Sequence, residues 1–469
     1  MTKNLTEGKI FKTLFLFTLP MFLSVVFQQL YGIVDTIIVG QKTGTDGLAA
    51  MGASFPLIMI CMSFAIGYCV GSSIIISQLF ARQEMGRAKT AIYTSIITSL
   101  MLGIVISAIG VGISKSVLSA IRTPNGIFKD ANEYQMIIIG AGGVFIFVYN
   151  SIVGAYQALG NTKLPLFFLI LSTIVNIILD VLFVIVFNLG IQGAAWATVI
   201  SQFVACILAL SVLLANMKKV DTEKFKAFSA KVMGQTIQFS IPIVLQQASI
   251  FIGALLIQNM IFRLYQGVPN AEQLNTSTAA GYTVSGRLIG IAVMCIFTMA
   301  NGLTNFTAQN IAVGKYDRIR KGFWVALAMA LVTTLVFVIA FEASPEGITR
   351  AFSKKTDDKG MEVAKKILIP VTPFMAILAV KMTGDSILRG SGSVIYYFIS
   401  TFIDLVIRVA LAYALAKRLK MSAVAVGFIV GWVFSAFLTL SFVLSKRWKK
   451  SYEKNKIKKI FKRYPELFA

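Results

Sequence analysis

Residues 164–188 read LPLFFLILSTIVNIILDVLFVIVFN, an apolar run that is long enough to cross a bilayer as a single helix. A helix rises about 1.5 Å per residue, so roughly 20 apolar residues span a hydrocarbon core of about 30 Å. The run also holds an amide, Asn176, and a carboxylic acid, Asp180, one helical turn apart. Both are unfavourable in hydrocarbon, so each needs a partner, a water-filled cavity or a function.

Comparable apolar runs recur along the whole chain. Of its 469 residues, 57% are hydrophobic and only 14% are charged, and the mean hydropathy is +0.78. Soluble domains carry about 25% charged residues, so this composition excludes a soluble protein. We predict an all-α membrane protein with about twelve transmembrane helices in two six-helix lobes. The predicted spans are 13–40, 49–80, 92–114, 134–158, 164–188, 191–216, 235–262, 278–308, 322–341, 367–388, 394–416 and 421–445.

The net charge of +24 is distributed unevenly across the membrane. Well over half of the 44 Lys and Arg residues fall in segments on one side of the predicted spans, together with both termini. The positive-inside rule therefore predicts cytoplasmic termini in a multi-pass protein of a bacterial or archaeal plasma membrane. A basic tail of this kind binds anionic membrane lipid, so we expect no nucleic-acid partner.

Several catalytic classes lack their residues in this sequence. Histidine is absent, which excludes zinc–histidine sites and Ser-His-Asp triads, and the four cysteines lie in apolar spans. No G-x-x-x-x-G-K-[ST] loop exists for ATP. We therefore expect no enzyme, no ATP-driven pump and no cofactor.

Short motifs recur between the two halves of the chain. Ser77-Gln78 near the end of the second span corresponds to Ala308-Gln309 near the end of the eighth, which aligns Gln78 with Gln309 at an offset of 231. Six spans per half place both halves in the same orientation, as parallel repeats. The predicted division is an N-lobe (1–216), a cytoplasmic connector (217–231), a C-lobe (232–445) and a basic cytoplasmic tail (446–469). Two further matches are Leu19-Pro20 with Ile241-Pro242, and Leu159-Gly160-Asn161-Thr162 with Arg389-Gly390-Ser391-Gly392 at an offset of 230.

The C-lobe charges within the spans are arranged so that most can neutralise one another. Lys381 and Asp385 are four residues apart, as are Asp404 and Arg408, and this spacing places each pair on one helix face. We favour local ion pairs over substrate binding for these four residues. Arg287 has no acid within its own turn, so it either meets an aspartate on another helix or lines a cavity.

The N-lobe aspartates have no such cation. Asp35 and Asp180 lie in spans that hold no Lys or Arg, and desolvation then favours the protonated carboxylic acid. Two such groups close together titrate as a pair, which holds a proton or, where enough oxygens converge, Na⁺. Tyr31 and Asn176 each lie one turn before an aspartate, and Thr198 of the sixth span offers a further oxygen. The alternative is a pair of protonated, hydrogen-bonded structural aspartates.

At these residues the sequence resembles the multidrug and toxic compound extrusion (MATE) family. The similar segments keep the family's order over essentially the whole chain. They are LYGIVDT at 30–36, GLAA at 47–50, QALGNT at 157–162, NIILD at 176–180 and GAAWAT at 193–198.

The resemblance implies an antiporter whose two lobes surround a V-shaped cavity that opens to alternate sides. It implies that Asp35, Asn176 and Asp180 bind H⁺ or Na⁺, and that Tyr31 and Thr198 support them. It further implies a helix bend at Pro20, and amphipathic, mostly cationic organic compounds as substrates. We expect a monomer. Some relatives carry a cation-binding acid on the seventh or eighth helix, but these spans hold no Asp or Glu here, so no such C-lobe Na⁺ site is expected.

A flippase for lipid-linked sugars is the alternative function. It would use Arg287, Lys381 and Arg408 to bind a pyrophosphate group. Two of these three cations have an aspartate one turn away, which counts against this function.

Overall fold

The computed structural model describes residues 4–121, 123–220, 222, 225–264, 271–352 and 358–454, and this part of the chain contains helices and no strands. We number the helices in chain order. They are α1 (Ile10–Gly44), α2 (Asp46–Ala81), α3 (Met85–Ala120), α4 (Asn125–Ala141 continued by Gly143–Ala158), α5 (Lys163–Val186), α6 (Gly190–Lys218), α7 (Ala230–Arg263), α8 (Ala271–Ala312), α9 (Tyr316–Ala343), α10 (Pro345–Phe352), α11 (Asp358–Gly390), α12 (Val394–Leu419), α13 (Ser422–Leu444) and α14 (Arg447–Lys454).

Twelve of these helices match the twelve predicted spans. Eleven are individually long and apolar enough to cross a bilayer, and the two parts of α4, bent by 48°, together make the twelfth. The predicted membrane fold class is therefore confirmed. The lobe boundaries stay predictions, since residues 221, 223–224 and 455–469 of the connector and the tail lie outside the described part.

Two features of the helices differ from the prediction. α1 and α2 run on with a single break at Gly44, whose φ of +66° is open to glycine at little energetic cost. α11 begins at Asp358 rather than 367, so it takes up part of the segment between the ninth and tenth predicted spans. Its added turns are amphipathic: Met361 and Ala364 are buried while Glu362 is exposed. An amphipathic helix can thus continue beyond the strictly apolar run.

The two lobes, α1–α6 and α7–α13, share one apolar core near one face of the molecule. We call the face where α1 begins and α13 ends the terminal face. Here Phe17 and Ile76 of the N-lobe belong to the same buried cluster as Ile243 and Phe306 of the C-lobe. The buried members of the other three clusters each come from a single lobe. The lobes are therefore closed against each other on the terminal side.

Glycines show that the lobes separate towards the opposite face. A Cβ at Gly71 of α2 would strike Ser240 of α7, and one at Gly302 of α8 would strike Thr18 of α1. Both glycines lie in the terminal half of their helices. In the other half, a Cβ at Gly52 of α2 or Gly286 of α8 would meet no atom within 4 Å. The lobes therefore form a cleft that is closed at the terminal face and open away from it.

Candidate functional site

Three N-lobe helices meet around the predicted site. Ile38 and Val39 of α1 pack in one small cluster with Val184 of α5 and Ala194 of α6. Asp35 lies one helical turn before this cluster on α1, and Asp180 lies one turn before it on α5. Apolar packing between the helices therefore brings together two carboxyl groups that are 145 positions apart in the sequence.

The two carboxyl groups are buried and touch each other. Asp35 is 7% exposed and Asp180 is fully buried. Their side chains are within hydrogen-bonding contact, and atom Oδ1 of each carboxyl is buried without a donor. Among the described residues, no Lys or Arg forms an ion pair with either of them. The pair therefore has an uncompensated demand for a proton or a cation.

Polar groups from all three helices surround the carboxyls. Asn176 donates from Nδ2 to Asp180 Oδ2 at 2.8 Å and accepts the backbone N–H of Thr198 at 3.2 Å, in the amide orientation that satisfies its neighbours. The hydroxyls of Tyr31 and Thr198 are 3.1 Å apart. All five predicted site residues therefore lie in one cluster.

Tyr134 of α4 lies near the carboxyl pair, and the sequence did not reveal it. It is 9% exposed and lies close enough to interact electrostatically with Tyr31, Asp35 and Asp180. A π-helical turn, Met136–Ala141, begins two residues after it, and another, Val181–Val186, directly follows Asp180. Such turns often occur at functional sites, because the extra residue re-aims the side chains beside it. Neither turn has a signature in the apolar sequence.

The C-lobe charges form the pairs that their spacing suggested. Lys381 Nζ lies 2.7 Å from Asp385 Oδ2, and Arg408 Nη2 lies 2.6 Å from Asp404 Oδ2. Asp385 also accepts a hydrogen bond from Thr439 at 2.8 Å. These four charges are therefore largely satisfied within their own lobe, in contrast to Asp35 and Asp180.

Two arginines of the C-lobe lie in different surroundings. Arg287 of α8 is exposed beside Gly286, and it forms no ion pair within the described part of the chain. An exposed guanidinium is unfavourable in lipid, so its position fits the cleft between the lobes, which is open to solvent. Arg389, one residue beyond the tenth predicted span, is only 1% exposed and is held between the rings of Phe297 and Tyr397.

The helical duplication also appears in comparison with a known family. Residues 20–182 and 252–414 both match the MatE family model, and the two matches start 232 positions apart. The chain belongs to the MatE family. The offset of 232 residues between the two matches agrees with the offsets of 230 and 231 between the internal motifs. The family is one of multidrug efflux transporters rather than an enzyme class, and this chain is a multi-pass membrane protein like its relatives.

Relatives match the MatE chain over nearly its full length. It is 24% identical to the probable multidrug resistance protein YoeA of Bacillus subtilis, over 93% of this chain and 94% of that one. It is 21% identical to the multidrug export protein MepA of Staphylococcus haemolyticus, over 94% and 95% of the two chains. A solved outward-facing multidrug resistance MATE transporter of the MOP superfamily superposes with a TM-score of 0.86 at 22% identity, covering 97% of this chain and all of that one.

Proposed function

We propose that this MatE protein is an H⁺- or Na⁺-coupled antiporter that exports amphipathic, mostly cationic organic compounds by alternating access. It would work as a monomer in the plasma membrane of a bacterium or archaeon, with the terminal face in the cytoplasm. The buried Asp35–Asp180 pair without a cation carries this proposal. A site that must take up a positive charge, inside one lobe of a two-lobed transporter, is suited to bind the coupling ion.

The surroundings of the pair bear on which ion binds. Na⁺ would need several oxygens around it, and Asp35, Asp180 and Asn176 are the groups that would provide them. With no ion bound, the amide of Asn176 satisfies its neighbours by turning its NH₂ group to Asp180 and its oxygen to the N–H of Thr198. The opposite orientation would turn the amide oxygen towards the carboxyls, where Na⁺ would need it. By rotation of this amide, the site fits either H⁺ or Na⁺.

The coupling follows from the position of the site. In the described conformation the cleft opens at the face opposite the terminal face. External ions would enter the cleft from that side. Ion uptake by Asp35 and Asp180 would remove their negative charge, change how α1, α5 and α6 pack, and favour release of the substrate. The coupling-ion gradient then drives the change of the protein back to its other conformation. It supplies about 2.3 kcal/mol per charge for each 100 mV of membrane potential, plus the free energy of the ion's concentration difference.

Efflux of cationic dyes from cells tests this function. Collapse of the coupling-ion gradient should stop efflux, while collapse of the other gradient should leave it unchanged. Asp35→Asn should reduce efflux to background, because the amide removes the exchangeable charge. Asp46→Asn changes an exposed aspartate at the start of α2 and should retain full efflux. Full transport by Asp35→Asn would refute the coupling role.

The structure gives less support to the flippase function. Lys381 and Arg408, two of its three proposed pyrophosphate-binding cations, are engaged with Asp385 and Asp404. Only Arg287 is left to face the cleft. One guanidinium provides a poor site for a doubly charged pyrophosphate, which usually binds several cations or helix N-termini.

A further inference from the structure

The segment that precedes α1 lies across the lobe boundary. We call residues 4–9 the N-terminal strap. It is continuous with α1 of the N-lobe, yet its hydrogen-bonding partners outside its own lobe are on α8, α9 and the turn between them in the C-lobe. Leu5 is fully buried, in the apolar cluster that both lobes share. A polar chain end with a fully buried leucine is a docked element rather than a free tail.

Side chains at the α8–α9 junction hold the strap by its backbone. The N–H of Leu5 donates to Gln309 Oε1 at 2.8 Å, and its carbonyl accepts from Asn310 at 3.2 Å. Lys315 Nζ donates to the carbonyl of Thr6 at 3.0 Å. These bonds involve backbone atoms of the strap, so they depend on its path more than on its side chains.

Arg318 of α9 makes the largest number of contacts with the strap. Its Nη1 donates to the carbonyl of Gly8 at 2.8 Å, and its Nη2 donates to the carbonyls of Glu7 and Leu5 at 3.0 and 3.3 Å. Its Nε donates to Asn310 Oδ1 at 3.2 Å, which orients both side chains. Charge-assisted bonds of this kind are stronger than neutral ones.

Gln309 connects the strap to the contact between the lobes. While its oxygen accepts from Leu5, its Nε2 donates to the carbonyl of Ala158, at the end of α4 in the N-lobe, at 2.8 Å. Four residues earlier on α8, Asn305 accepts from Ser77 of α2 at 3.0 Å. Separation of the lobes at the terminal face would break these bonds. The strap covers them from outside.

The segment before α7 makes an analogous but weaker crossing. The N–H groups of Lys226 and Ser229 donate to Thr90 and Thr94 of α3 at 3.0 and 3.1 Å. This segment leads into the C-lobe but contacts the N-lobe. The two segments that precede the lobes therefore each contact the opposite lobe, as expected for a repeated fold. Its first described aromatic residue, Phe225, is 43% exposed, whereas Leu5 is fully buried. Among the described residues of these two segments, buried side chains are found in the N-terminal strap alone.

We propose that the N-terminal strap is a latch that holds the terminal face closed and must detach before the cleft can open there. Release of the strap frees Gln309 and Arg318, which removes bonds specific to the closed state. A contact that is made in only one of two states shifts the equilibrium between them by the full free energy of that contact. This proposal rests on the alternating access of the proposed function, but it does not depend on the identity of the coupling ion.

Spin-label distances across the terminal face test the latch. Labels would be attached at Lys163→Cys in the N-lobe and Lys321→Cys in the C-lobe, both exposed, in a protein whose four native cysteines are replaced by alanine. We expect Arg318→Ala to raise the population of the terminal-open distance by tenfold or more, since it removes three charge-assisted bonds to the strap. Arg318→Lys keeps the positive charge but loses the several N–H donors of the guanidinium, so it should have an intermediate effect.

Arg320→Ala is the matched control, because Arg320 is an exposed arginine on the same helix. It should leave the distances as in the parent protein. Deletion of residues 2–8 is the second variant, for use if Arg318→Ala does not fold, and it should also populate the open distance. Unchanged distances in folded Arg318→Ala or in the deletion variant would overturn the latch. These distances do not measure ion coupling, so failure of the Asp35→Asn efflux test alone would leave the latch standing.

Discussion

At the scale of single residues, Asn176 links the carboxyl pair to its surroundings. Its amide donates to Asp180 and accepts from the backbone of Thr198, so it ties α5 to α6 beside the proposed ion site. Hydrogen bonds to charged groups contribute about 1.5–3 kcal/mol, which corresponds to a factor of ten or more in affinity. We therefore propose that Asn176 influences how readily the pair exchanges a coupling ion.

We predict that Asn176→Ala changes the concentration of coupling ion at half-maximal transport by about tenfold, because the carboxylate loses one donor. Dye transport in proteoliposomes at stepped ion concentrations measures this value. Asn150→Ala is the control, since Asn150 donates to the carbonyl of Ile146 in its own helix, α4. An unchanged ion dependence in Asn176→Ala would show that the amide has no part in coupling.

Arg287 gives a second prediction at this scale. An exposed guanidinium in the cleft repels a cationic substrate, by roughly 0.4–1.7 kcal/mol at about 10 Å for effective dielectric constants between 80 and 20. Arg287→Gln should therefore lower the KM for cationic dyes roughly two- to fifteenfold and leave that for a neutral substrate unchanged. Equal changes for both kinds of substrate would place Arg287 away from the substrate path.

At the scale of helices, α2 has one glycine in the closed part of the lobe boundary and another at the open part. A side chain at Gly71 would collide with α7 at Ser240, whereas a Cβ at Gly52 meets no atom within 4 Å. The same helix therefore reports on both halves of the cleft.

We expect Gly71→Leu and Gly52→Leu to shift the conformational equilibrium in opposite directions. Leucine at position 71 prevents closure at the terminal face and so favours the terminal-open state. Leucine at position 52 fits the described state but obstructs closure at the opposite face. The spin-label distances defined for the latch measure both effects. A shift in the same direction for both variants would contradict the proposed cleft.

The helices were predictable from the sequence because each crosses the membrane as a run of about 20 apolar residues. Asp35, Asn176 and Asp180 were identifiable for a related reason: a carboxylate or an amide is conspicuous in such a run. Tyr134 was not, since an aromatic residue is ordinary there. The strap was also missed, because six residues outside the membrane, of which Leu5 is the one large apolar side chain, carry no periodic signal. Leu5 is buried only through tertiary contacts with the other lobe.

At the scale of the whole molecule, the two lobes have different electrostatics despite their common origin. The C-lobe pairs Lys381 with Asp385 and Arg408 with Asp404, while the N-lobe carboxyls have no counter-charge among the described residues. The two lobes thus share one architecture, while among the described residues the buried carboxyl pair without a cation lies in the N-lobe. In the proposed mechanism, ion binding at this site changes the packing of the N-lobe helices and so moves the N-lobe relative to the C-lobe.

Ion release from the purified protein tests this assignment most directly. Substrate added to detergent-solubilised protein in weak buffer should displace the bound coupling ion, as a pH drop read with an indicator dye for H⁺ or as loss of bound radioactive Na⁺. We expect release from the unmodified protein and from Asp46→Asn, and none from Asp35→Asn or Asp180→Asn in folded form. Equal release from the unmodified protein and both site variants would contradict the assignment of the coupling ion to Asp35 and Asp180.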